Sequence, residues 1–157
     1  MEHDVGGLRP DGLVIYADSS ALYDVAVIHP GAPSYVAKAA LGSLASAKLK
    51  EEEKRARYAG LARDEGHAFK PLALESYGGI GEDFLGFLSD VASRMNNQPG
   101  GELLPDQRPR LQQIVSVALQ NGNSRIQREG ALFARSGGVP QGRRQRGMTG
   151  RGGYQYA

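Results

Sequence analysis

The sequence predicts an α/β protein. The expected fold is a small mixed sheet, an N-terminal hairpin plus a third strand, packed with helices and followed by C-terminal helices and a disordered tail. Three observations predict this. Two short apolar runs at about 12–17 and 22–29 flank the polar turn Asp18-Ser19-Ser20, the pattern of a strand pair. A long helix-forming stretch then precedes another apolar run at 68–76, the separation that a crossover to a parallel strand requires. From residue 136 the composition collapses to Gly, Arg, Gln and Tyr, too poor in apolar groups to bury a core.

The elements follow in order. Residues 1–8 are a polar leader. In the second strand, alternation puts Tyr23, Val25 and Val27 on one face and Leu22, Asp24, Ala26 and Ile28 on the other. Its near-continuous apolar character suggests burial on both faces. Pro30-Gly31-Ala32-Pro33 ends it. A single long helix is expected from about Ser34 or Tyr35 to Asp64, with Ser34 as its N-cap and Gly42 as a break or close packing point. Glu51→Arg55 and Glu53→Arg57 are favourable i,i+4 pairs. In the third strand Pro71 argues for an edge position or a bulge. A second helix spans about 82–96, with Phe84, Leu85, Leu88, Val91, Ala92 and Met95 on one side. A third covers 105–120, with an interruption near Gly122 and a continuation over 124–133. The expected domain plan is a leader at 1–8, an α/β core at 9–98, a helical extension at 99–135 and a tail at 136–157.

With 157 residues and no cysteine, the chain is expected to hold one ordinary domain and a tail, without disulfides or thiolate metal sites. No apolar run reaches the ~20 residues that cross a bilayer. From Arg135 onward there are five arginines and no acid, while the remainder holds 14 basic against 17 acidic residues. The high pI therefore belongs to the tail. Arg143, Arg144, Arg146 and Arg151, interleaved with Gly and Tyr, have the composition of segments that bind RNA or single strands by charge and stacking. A disordered extension with no partner has the same composition.

Two acids stand where apolar strands should have none. Asp11 sits at the mouth of the first strand and Asp24 in the middle of the second. A buried carboxylate is costly unless paired, and its partner could be a metal ion, a basic side chain or backbone donors.

The segments Arg9-Pro10-Asp11, Asp24-Val25-Ala26-Val27 and Lys54-Arg55-Ala56-Arg57-Tyr58, followed by a further apolar strand, together resemble the restriction-endonuclease-like nucleases (the P-D…D/E-x-K family). More narrowly, they resemble the endonuclease domain at the C-terminal end of site-specific non-LTR retrotransposon polyproteins. The resemblance covers about residues 8–95. It implies a Mg²⁺- or Mn²⁺-dependent DNA endonuclease of retroelement origin, acting on DNA in the nucleus. Asp11 and Asp24 would be the metal ligands, Lys54 and Tyr58 would act on the phosphate, and Arg57 would contact nucleic acid. Two departures stand out. The family's lysine two positions after the second acid is Ala26 here, so Lys54 must substitute from the helix. No helix is expected before the first strand, which points to a piece of a longer ancestral protein. A catalytically inactive remnant, retained as a nucleic-acid-binding or structural module, fits the same residues.

Each residue also has a plainer reading. Asp11 could cap a turn after Pro10, and Asp24 could pair with a helix Lys or Arg. Lys54 and Arg57 could line a solvated helix face, and Tyr58 could be a core-edge aromatic. His29 and Glu75 could join a metal site or simply end their strands. The glycines at 78, 79 and 81 form a turn rather than a phosphate loop, because no Lys-Ser/Thr follows them.

Overall fold

The computed structural model describes residues 8–99 and 105–135. Within them lie β1 (Gly12–Ile15), β2 (Ser20–Ile28), α1 (Val36–Ala39), α2 (Ala45–Asp64), β3 (Ala68–Glu75), α3 (Glu82–Asn96) and α4 (Arg108–Arg135). The leader before residue 8 and the tail from 136, with its four arginines, lie outside the described residues.

The three strands form one sheet in the order β1-β2-β3. The turn is closed by the Tyr16 amide donating to the Ser19 carbonyl at 2.8 Å, and β1 runs antiparallel to β2 with Gly12 opposite Tyr23. The α2 crossover returns the chain so that β3 runs parallel to β2, from Ala21↔Ala68 to Ile28↔Glu75. The mixed sheet is thus the one expected, and Pro71 does lie on an edge strand, where a missing donor is tolerated.

Helices cover β3 on both faces, but Val25 and Val27, on the β2 face away from α2, are exposed, so β2 is not buried on both faces as its apolar run suggested. Ile28 and Ala73 pack with Ala47 of α2, with Ala26, Tyr35 and Leu44 alongside. On the opposite face Leu72 and Leu74 pack with Phe84 and Leu88 of α3, joined by Tyr23, Phe87, Leu111 and Val115. The alternation read in β2 is therefore correct. Phe69 belongs with the α2 layer, its ring 5.3 Å from that of Tyr58. On α3, Phe84, Leu88 and Ala92 are buried, whereas Leu85 and Met95 at the margins of the apolar side are exposed.

Four details correct the sequence reading. The expected long helix is split into α1 and α2, and the chain turns at Leu44 with φ +60°. Gly42 lies in that break. The N-cap of α1 is Tyr35, without a side-chain hydrogen bond, so Ser34 does not serve. The helix α4 runs unbroken through Gly122; a lone glycine costs about 1 kcal/mol in a helix, which is not enough to end one. The pairs Glu51→Arg55 and Glu53→Arg57 do not form. Glu51 is buried, Arg55 binds Asp83 instead, and Glu53 takes Lys50 at 2.8 Å.

The chain divides into two compact units, residues 1–122 and 123–157. The first holds the sheet, α1, α2 and α3.

Candidate active site

The site is built where β2 meets α2. Asp24 lies on the β2 face that looks toward α2, between Leu22 and Ala26, and it is only 4% exposed. The partner reaches it from the helix: Lys54 Nζ lies 2.5 Å from Asp24 Oδ2. This contact is an ion pair without a well-aligned hydrogen bond, and Oδ2 is left without one. The helix places Lys54 there because α2 turns one stripe inward. Ala47, Glu51, Tyr58 and Ala62 are its buried members, spaced three or four residues apart through Lys54.

Asp11 stands one step beyond the paired register of β1, across from Asp24. Its Oδ2 accepts the Val25 amide at 2.7 Å. The reason is local. The β1 ladder ends at Gly12, and a carboxylate oxygen takes the donor that the strand no longer meets. Opposed residues of an antiparallel pair share a face, so the register sets Asp11 and Asp24 on one side of the hairpin.

Tyr58 follows Lys54 by one turn and is 4% exposed. The Lys54 ammonium lies 5.6 Å from its ring centroid and the Arg57 guanidinium 5.4 Å. The ring packs on Phe69, so its body belongs to the core, flanked by two cations. The structure therefore brings Lys54 to Asp24, sets Lys54 and Arg57 over the Tyr58 ring, and leaves Asp11 opposite Asp24 in the hairpin register, bound to the Val25 amide. Arg143, Arg144, Arg146 and Arg151 lie outside the described residues.

Two further carboxylates have found other work. Glu75 Oε1 accepts the Ala47 amide in the first turn of α2 at 3.2 Å. Glu51 lies against the first turn of α3, beside the backbone of Asp83, Phe84 and Ala73. Neither helix carries a capping side chain of its own, since Leu44 and Gly81 occupy the N-cap positions. Burial pushes the Glu51 carboxyl above its ordinary value, outweighing the backbone groups that favour its charge. Sequence reading assigned Glu51 to a surface pair. The overlooked signal was its place in the inward stripe with Ala47, Lys54 and Tyr58.

Two hydroxyl–imidazole pairs were also missed. Ser20 Oγ and His67 Nδ1 are 2.7 Å apart, and His29 Nδ1 and Ser76 Oγ 2.8 Å apart. His29 also meets the Tyr77 ring edge-on, with centroids 5.2 Å apart. It is thus a strand-end residue with side-chain partners.

Among the described residues no group of three His, Cys, Asp or Glu side chains is placed to hold a metal ion. The candidate ligand set is the pair Asp11 and Asp24. Two carboxylates suit Mg²⁺, which commonly takes one or two protein carboxylates and completes its shell with water and phosphate oxygens. The Asp24 Oδ2 oxygen is already the one that Lys54 Nζ approaches at 2.5 Å, so an ion held there would have to share that oxygen with the lysine or displace it. Comparison of the chain with family models, curated proteins and solved structures finds no match.

Proposed function

We propose that residues 9–98 form a metal-dependent DNA endonuclease-like domain of retroelement origin, acting in the nucleus and hydrolysing a phosphodiester to leave a 3′ hydroxyl. The observation that carries the reading is the 2.5 Å approach of Lys54 to Asp24. With Ala26 at the family's lysine position, the resemblance requires a lysine delivered from the following helix, and Lys54 reaches the acid.

Asp11 and Asp24 would hold Mg²⁺ or Mn²⁺. The ion, when bound, supplies an acidified water and a counter-charge for the phosphate. The Lys54 ammonium orients the attacking water or holds the scissile phosphate, a role for a compact point charge. In the balanced step a water oxygen joins phosphorus, the bond from phosphorus to O3′ breaks, and O3′ leaves as the hydroxyl with a proton. Tyr58 donates a hydrogen bond to the phosphate, and Arg57 contacts the nucleic-acid backbone.

A second reading has its own observation. Asp24 already has Lys54 as counter-ion, and Asp11 already serves the Val25 amide. Both acids therefore have structural duties that an inactive remnant, kept for nucleic-acid binding or as a structural module, would retain. A supercoiled-plasmid nicking assay in Mg²⁺ or Mn²⁺ separates the two. The endonuclease reading expects nicking by the wild type and its loss in Asp24→Ala and Lys54→Ala. Metal-dependent nicking that survives Asp24→Ala would overturn the site. A folded wild type without nicking would favour the remnant.

A further inference from the structure

We infer that residues 123–157 act as a nucleic-acid-binding arm, and that the last turns of α4 present a contact surface for it. The division of the chain at residue 122 is also a division of charge. Residues 1–122 hold 12 basic and 16 acidic side chains, a net −4; residues 123–157 hold seven arginines and one glutamate, a net +6. The boundary of the cation thus falls within α4, well before the composition changes at 136.

The helical part adds geometry to the charge. The unit's one acid, Glu129, is taken by Arg125 at 2.9 Å. Arg128 and Arg135 stand seven residues apart, two helical turns, and therefore on one face. Leu132 lies between them, and all three are exposed. The arrangement offers two guanidinium forks about 10 Å apart along the axis, with an aliphatic side chain between them. Guanidinium matches phosphate oxygens bidentately. The arginines that follow in sequence extend the same charge without an opposing acid.

The ligand chemistry is the phosphodiester backbone. An anionic membrane would also attract this charge. Membrane-surface helices, however, lay a broad apolar face into the lipid. Here Ile126 and Phe133 share one side, while Leu132 lies among the arginines.

The test uses the full chain and its Arg128→Gln/Arg135→Gln variant. Both substitutions are at exposed helix positions, and Gln is a strong helix former, so circular dichroism should be unchanged. Anisotropy titrations against single-stranded RNA, a DNA duplex of equal length and phosphatidylserine vesicles are run across a salt series. The arm predicts nucleic-acid binding whose salt slope falls by about one for each arginine removed, with weaker affinity for both nucleic acids. The preferred strand form then identifies the source of the phosphodiester. Unchanged affinity and slope in the variant, no nucleic-acid binding by the wild type, or tighter binding to vesicles would each overturn the inference. The nicking assay reads chemistry in the first unit and this one reads binding by the second, so either proposal can fail alone.

Discussion

Replacing Lys54 by Met leaves a carboxylate with no counter-ion in a place that water barely reaches. The Asp24 side chain is 5% exposed and that of Lys54 20%. Removing one partner of a buried pair costs ~3–5 kcal/mol, because the remaining charge stays desolvated. Water reaching the lysine end favours the lower figure, so Lys54→Met should lose about 3 kcal/mol. For a unit of this size that corresponds to a fall in Tm of roughly 12 °C. The Asp24→Leu/Lys54→Met double variant removes both charges. It should lie close to the wild type, since apolar replacements of whole buried pairs are often neutral or stabilising. The assay is urea unfolding by circular dichroism on the wild type, both single variants and the double. Two results would refute the reasoning: a Lys54→Met cost below about 0.5 kcal/mol, the usual range of surface changes, or a double variant whose loss equals the sum of the singles.

Other outcomes follow from the caps and the close packing. The Glu51 carboxyl is raised, so the folded state binds its proton more tightly than the unfolded state does. Its contribution is full below the ordinary carboxylate range and is lost as pH rises through the raised value. The stability of the wild type relative to Glu51→Gln should therefore fall with rising pH across that window; a wild-type urea midpoint that rose relative to the variant's with pH would contradict the burial argument. Glu75→Ala should cost ~1 kcal/mol by removing the remote cap on the Ala47 amide, the scale of a lost N-cap, measured by thermal unfolding. Gly81→Ala would press a methyl into the Glu51 carboxylate and to within 3.0 Å of the Ala73 carbonyl. The expected loss is about 1–3 kcal/mol, and Glu51→Ala should relieve part of it in the double variant.

How much of this was legible depended on whether a property is local. The strands, their faces and α3 were readable, because alternation at Tyr23, Val25 and Val27 and the apolar spacing of Phe84, Leu88 and Ala92 are set within a few residues. That β3 runs parallel to one of the first two strands followed from the length of chain before it; that the partner is β2 did not. The break at Leu44 was not readable, since good helix formers flank it on both sides and a left-handed leucine has no signature. Asp24 declared itself as an anomaly; among the helix cations Lys54 was singled out by the resemblance and not by any local pattern, and it is the crossing of α2 over β2 that brings it to the acid. Glu51 and Glu75 were misjudged for the same reason. Their ligands are helix amides 28 or more residues distant in sequence or on another element, and propensity carries no trace of such partners.

The two hydroxyl–imidazole pairs bear on alignment. Ser20 with His67 and His29 with Ser76 extend the parallel register by one step at each end of β2 and β3. They work as dowels in a joint: both fit only when the strands are seated at the right offset. A slip by one residue would unseat both. It would also turn alternate side chains of the slipped strand to the opposite layer, setting the α2-facing row against the packing of α3. The layering of Leu72 and Leu74 against α3 and of Ala73 against α2 and the two polar contacts at the margins thus specify the same offset, the one at which Asp24 meets Lys54.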